Sequence, residues 1–142
     1  MTAINDMTVQ MHKLAGKNIN IRCEAKTFSN GNVTVDDLGK FAMIQAGNIY
    51  VNDGSKPTIG VISEVTHNGI LITSSSEYIY VLATESFQEN DLVYVGANGR
   101  ASKTGTIKVG MALTSNITNT FNVNNQNYTE TYIGVRFDSK NS

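Results

Sequence analysis

The stretch ENDLVYVGANGRASKTGTIKVGMAL, Glu89 to Leu113, decides how this chain is read. It runs as an apolar segment, a glycine-containing polar loop and a second apolar segment. Either the loop grips a phosphate or it joins two strands. A phosphate-binding loop needs G-x-x-x-x-G-K-[ST] leading from a strand into a helix. Lys103-Thr104 could close such a motif, but Ser102 precedes it and Ala97 stands where the first glycine belongs. The residues that follow, TIKVGMAL, alternate as a strand, which leaves no helix N-terminus to receive an anion. The stretch is therefore two core strands and their connection.

The same pattern spreads outward in both directions. From Gly47 on, the segments NIYV, PTIGVISEV, GILIT, EYIYVLA, DLVYV, TIKVGMALT and TYIGVRF read as short strands. Between them lie NDGSK, THNG, TSSS, SFQEND and GANGRASKTG, whose Asn-Gly and Asp-Gly pairs supply the positive φ angles of tight turns. Strands at this spacing predict a mainly β fold, a small β-barrel or sandwich. An apolar-Gly pair recurs at Ile59-Gly60, Val109-Gly110 and Ile133-Gly134. Glycine inside a strand marks a bulge, a bend or close approach of another backbone, which suits curved strands.

The N-terminal third reads differently. Residues 1–20 form an irregular arm, in which Met7, Met11 and Leu14 fall on one face of a short helix ended by Gly16. INIRCEA, residues 19–25, alternates as a half-buried strand, and SNGN is a turn. TVDDLGKF predicts one helical turn begun by Thr34, with Asp36 and Asp37 favoured at its positive end. The division is thus an arm at 1–20 and a β-rich domain at 21–142.

Composition excludes several classes. The 142 residues carry a net charge of -1, from 11 basic and 12 acidic side chains scattered singly apart from Asp36-Asp37. Nucleic-acid binding needs a basic stripe, and there is none. One cysteine, Cys23, rules out an internal disulfide and any multi-cysteine metal site. No apolar run approaches the roughly 20 residues that span a bilayer as a helix. The N-terminus has no basic start followed by an apolar block, which predicts folding in a cytoplasm.

No constellation nominates a catalytic, metal or cofactor site. His12 falls in the arm and His67 at the hairpin tip THNG, neither near a nucleophile motif. Asp36-Asp37 fit a helix start better than a catalytic pair. Asn32, Asn116 and Asn127 head glycosylation-type triplets that an Asn/Thr-rich chain produces by chance. SNITNTFNVNNQNYTET, residues 115–131, reads as a long hairpin loop with Phe121 and Val123 turned inward. Its sharper reading is an exposed recognition loop in which Asn122, Asn124, Asn125 and Tyr128 hydrogen-bond a sugar or a neighbouring protein. The six tyrosines lie mostly in strands, where they cover the sheet.

The run FQENDLVYVGANGRASKTGTIKVGMALTS, followed by YIGVRF, resembles the small capsid decoration (head cement) proteins of tailed bacteriophages. The matching positions are Asp91, Val93-Tyr94, Gly99, Lys103-Thr104, Val109-Gly110, Ala112-Leu113 and Val135. The resemblance covers residues 41–137 and departs from the family pattern at the Asn-rich insertion. It implies a non-enzymatic structural virion protein that binds the outside of a capsid shell and stabilises it. The implied partners are the major capsid protein and further copies of the chain, with no nucleic acid, membrane or cofactor. The arm residues Met7, Met11 and Leu14 become the expected contact to the shell or a neighbouring copy, since Met-rich surfaces adapt to partners. The alternative is a carbohydrate- or receptor-binding module of a phage fibre or adhesin, using the Asn-rich segment.

Overall fold

The computed structural model of the chain describes residues 24–74 and 78–138, without the side chains of residues 24–26, 121 and 123. The arm at 1–20, with Met7, Met11, Leu14 and His12, lies outside the described residues, as do Ile19, Ile21 and Cys23 of the first expected strand.

The fold is mainly β, as the alternating segments predict. Eleven strands follow in chain order among the described residues: β1 Glu24–Asn30, β2 Phe41–Gln45, β3 Asn48–Val51, β4 Gly60–Thr66, β5 Gly69–Ser74, β6 Ile79–Leu82, β7 Leu92–Val95, β8 Ala101–Ser102, β9 Lys108–Ala112, β10 Ile117–Val123 and β11 Gln126–Phe137. The helical turn at TVDDLGKF is a 3-10 turn, Val35–Asp37, closed by a reciprocal cap. The Thr34 hydroxyl accepts from Asp36 N and the Asp37 carboxylate accepts from Thr34 N.

Strands β1-β3-β2-β4-β5 close into a barrel, with β1 and β3 parallel and the other pairs antiparallel. Its interior holds Val33, Leu38, Ala42, Ile49, Ile62, Ile70 and Ile72. The remaining strands form a second sheet in the order β10-β11-β9-β7-β8, with β6 on the other side of β11. A parallel bridge between Ala83 and Ala101 brings β8 back to the end of β6, so this sheet also curls round a core. That core includes Ile79, Val81, Phe87, Val93, Val109, Ile133, Val135 and Phe137.

Phe41 joins the two halves. It belongs to β2 of the barrel, yet its fully buried ring packs in the second core, 6.0 Å from the ring of Phe137. Its N–H donates to Gly99 O at 2.7 Å, and Leu82 N donates to Gly39 O at 3.0 Å. Burying a phenylalanine contributes about 1.5–3 kcal/mol, here at the seam between the two sheets.

Two segments depart from the sequence reading. FAMIQ is strand β2, although the sequence reading places no strand between the SNGN turn and Gly47; Phe41, Ala42 and Met43 are buried in succession, so no alternation announces it. The Asn-rich segment is not a long loop. It is β10 and the first half of β11, joined by the two-residue turn Asn124-Asn125. Both turn residues have positive φ, 53° and 66°, which asparagine tolerates better than other non-glycine residues. Low hydrophobicity concealed the strands, while Thr, Tyr, Ile and Val supply the β propensity.

The three apolar-Gly pairs are not equivalent. A Cβ on Gly110 would fall 1.8 Å from Arg136 O, and one on Gly60 2.5 Å from Thr73 O, so both glycines permit close backbone approach. At Gly134 the nearest atoms lie at 3.4 Å, an ordinary contact, and no close approach demands glycine there.

Candidate binding surface

The loop between β7 and β8 turns tightly: Gly96 N donates to Arg100 O and Gly99 N to Gly96 O. A Glu85 carboxylate oxygen accepts from the Ser102 hydroxyl at 2.7 Å and from Lys103 N at 3.2 Å. The Lys103 ammonium lies 3.6 Å from Asp91. Donors that a phosphate would have to recruit are thus turned to the protein's own carboxylates. Among the described residues no group of three or more His, Cys, Asp and Glu is placed to hold a metal ion, and no helix is long and apolar enough to cross a membrane. His67 sits in the β4–β5 turn, where Asn68 N donates to the Thr66 hydroxyl.

The β10–β11 ribbon gathers the four residues expected in a recognition loop. Asn122, Asn124 and Asn125 are exposed at its tip and Tyr128 is half-buried on β11 opposite Phe121. One face is a polar ladder. The Thr118 and Thr131 hydroxyls lie 3.4 Å apart, those of Thr120 and Thr129 3.2 Å, and Asn122 Nδ2 donates to Asn127 Oδ1 at 2.9 Å. Such cross-strand pairs stiffen a ribbon by a few tenths of a kcal/mol, up to about 1, each. Glu130 is the one charged side chain between Ile117 and Thr131.

The root of the ribbon is anchored twice. Tyr132 is buried with Leu82, against Tyr80 and Ile117. The rings of Tyr80 and Tyr132 meet edge-on at 5.2 Å and those of Tyr78 and Tyr80 at 5.0 Å. The Tyr78 and Tyr80 hydroxyls hydrogen-bond each other. Burial, reinforced by that bond, pushes the Tyr78 phenol up to about 12. The second anchor is Asn116, whose Oδ1 accepts from Phe87 N at 2.6 Å and whose Nδ2 donates to Glu85 O at 2.8 Å.

The other triplet asparagines are also engaged within the chain: Asn32 Oδ1 accepts from Val51 N, and Asn127 from Asn122. Sequence reasoning missed Asn116 as an anchor. Its partners lie 29 and 31 residues away, beyond any local pattern. No protein-family model matches the chain, and no curated protein sequence matches it.

Proposed function

We propose that the protein is a structural, non-enzymatic component of a tailed-phage virion, which binds the outside of the capsid through the major capsid protein and stabilises the shell. One observation carries this reading. Most of the positions that resemble decoration proteins lie in or beside one sheet: Val93-Tyr94 in β7, Lys103-Thr104 just after β8, Val109-Gly110 and Ala112 in β9, and Val135 in β11, with Asp91, Gly99 and Leu113 in its connections. The physical character of the chain supports it. A closed, hydrogen-bonded β core resists deformation. A net charge near zero permits dense packing on a shell, and uncharged Thr and Asn faces suit contacts made of many hydrogen bonds. Many weak attachments then add through copy number. Quantitative mass spectrometry of purified virions, counting this chain against the major shell protein, tests the proposal. A ratio of one or a simple fraction is expected; absence from the particle overturns it.

A second reading, a sugar- or receptor-binding module, draws on the exposed amides of Asn122, Asn124 and Asn125 beside Tyr128. A glycan array separates the two, since a shell-binding protein leaves it blank. A handful of copies per virion, with glycan binding lost on trimming residues 122–127, favours this second reading.

A further inference from the structure

Sheet edges expose unpaired backbone groups and are ordinarily guarded. In this fold several edges are closed over part of their length. The β1–β5 strands close into a barrel, in which β1 meets β3 at two residue pairs and β2 meets β4 at two. Strand β8 is bridged to the end of β6 through Ala83 and Ala101, and β6 meets the barrel through the Leu82 N–H bond to Gly39 O. On β11, Thr131 O accepts from Ala83 N, which closes that edge at the root of the ribbon. Strand β10 is different. It hydrogen-bonds to β11 and ends the sheet, so its outer edge has no strand beside it among the described residues.

The turn fixes which groups face outward. In a two-residue hairpin the closing pair, here Val123 and Gln126, exchanges both its hydrogen bonds across the ribbon. Alternation then turns the N–H and C=O of Asn122, Thr120 and Thr118 outward. The ladder agrees: these three residues carry the close side-chain pairs with Asn127, Thr129 and Thr131, as expected where cross-strand Cα atoms approach most closely. The strand ITNTFNV also lacks three of the ordinary guards, having no charge, no proline and an unbroken register.

We infer that the outer edge of β10 pairs antiparallel with β10 of a second copy of this chain. Centred on Thr120, the pairing sets Thr118 opposite Asn122 of the other copy, Thr120 opposite Thr120 and Asn122 opposite Thr118. Three facing pairs give about six backbone hydrogen bonds. The uncharged strand meets itself with no like charges opposed, and the ladder continues across the join as Thr against Thr at the centre and Thr against Asn on either side. A charged partner strand would find no complement on it. The rest of the ribbon's second edge is a poorer template: only Asn127 and Thr129 face outward before the closure at Thr131. Pairing is two-fold and consumes the edge, so by this route assembly stops at two copies.

The inference stands apart from shell binding and is tested in solution with the full chain alone. Sedimentation velocity should show a concentration-dependent species of twice the 15.4 kDa chain mass. Thr120→Lys should leave a folded monomer, because it sets two ammonium groups together on the two-fold axis. Thr120→Glu should do the same, and mixing the two variants should restore a 1:1 dimer, which a folding defect could not do. Hydrogen exchange should show the Thr118, Thr120 and Asn122 amides protected only at concentrations where the dimer forms. A wild-type chain that stays monomeric overturns the inference, as does a dimer unmoved by either substitution. It is equally overturned if Thr120→Lys abolishes attachment to shells of a chain that is monomeric in wild-type form, for then the edge takes a shell strand.

Discussion

Replacing Gly110 with alanine should be the most damaging one-carbon change among the three apolar-Gly pairs. The added Cβ would sit 1.8 Å from Arg136 O, 2.9 Å from Arg136 C and 3.1 Å from Asp138 N, all backbone atoms that cannot rotate away. Reaching an ordinary contact means moving from 1.8 to 3.4 Å, so β9 and β11 must part by about 1.6 Å. The Asp138 N to Val109 O bond, now 2.9 Å, does not survive such a shift, and the Phe137–Gly110 pairing goes with it. Two or three lost ladder bonds at about 1 kcal/mol each, plus overpacking of about 1–3 kcal/mol, give a loss of roughly 3–6 kcal/mol. That is a large share of the roughly 5–15 kcal/mol that holds a domain of this size together. Gly134→Ala is the internal control. Its Cβ meets nothing closer than 3.4 Å and its φ is not positive, so it should be neutral or stabilise by up to about 0.5 kcal/mol through the unfolded chain. Urea unfolding of wild type and both variants, with unchanged m-values, measures the difference. A Gly110→Ala variant within about 1 kcal/mol of wild type, or a Gly134→Ala variant equally damaged, would refute the close-approach argument.

Four further outcomes are expected. Asn116→Ala removes both bonds that tie the 85–87 segment to the root of β10 and should cost about 2 kcal/mol by the same unfolding assay. Asn125→Gly places glycine where φ is 66° and should raise stability by a few tenths of a kcal/mol, seen as a small rise in Tm. The Tyr78 phenol is held neutral in the folded state up to about 12, against about 10 when unfolded. The unfolded chain therefore loses this proton first, and stability from this group is full below pH 10 and declines between pH 10 and 12. Tyr78→Phe should flatten that part of a stability-against-pH curve. Deleting residues 1–16 should abolish binding to purified shells while leaving the circular dichroism of the β fold intact; undiminished binding would show that Met7, Met11 and Leu14 are not the contact.

Local chemistry determined much of this protein from sequence alone. Alternation in DLVYV, GILIT and TYIGVRF, and turn residues between them, are properties of neighbouring residues, and they appear as β7, β5 and β11. The cap at Thr34 and the rejection of a phosphate loop at Lys103-Thr104 were legible for the same reason. The tertiary structure alone decided what depends on distant partners. Strand β2 has no alternation because its three leading residues are buried on all sides, one of them, Phe41, in the neighbouring core. The ribbon of residues 117–131 is polar because little of it faces a core, so hydrophobic pattern could not distinguish strand from loop. Whether a strand glycine is required, at Gly110, or optional, at Gly134, follows from how near another backbone comes, which no single segment encodes. The outer edge of β10 is likewise a fact of strand order: a sequence can specify that a segment is extended, but which of its edges meets another strand is set by where β10 stands in the sheet, at its end beside β11.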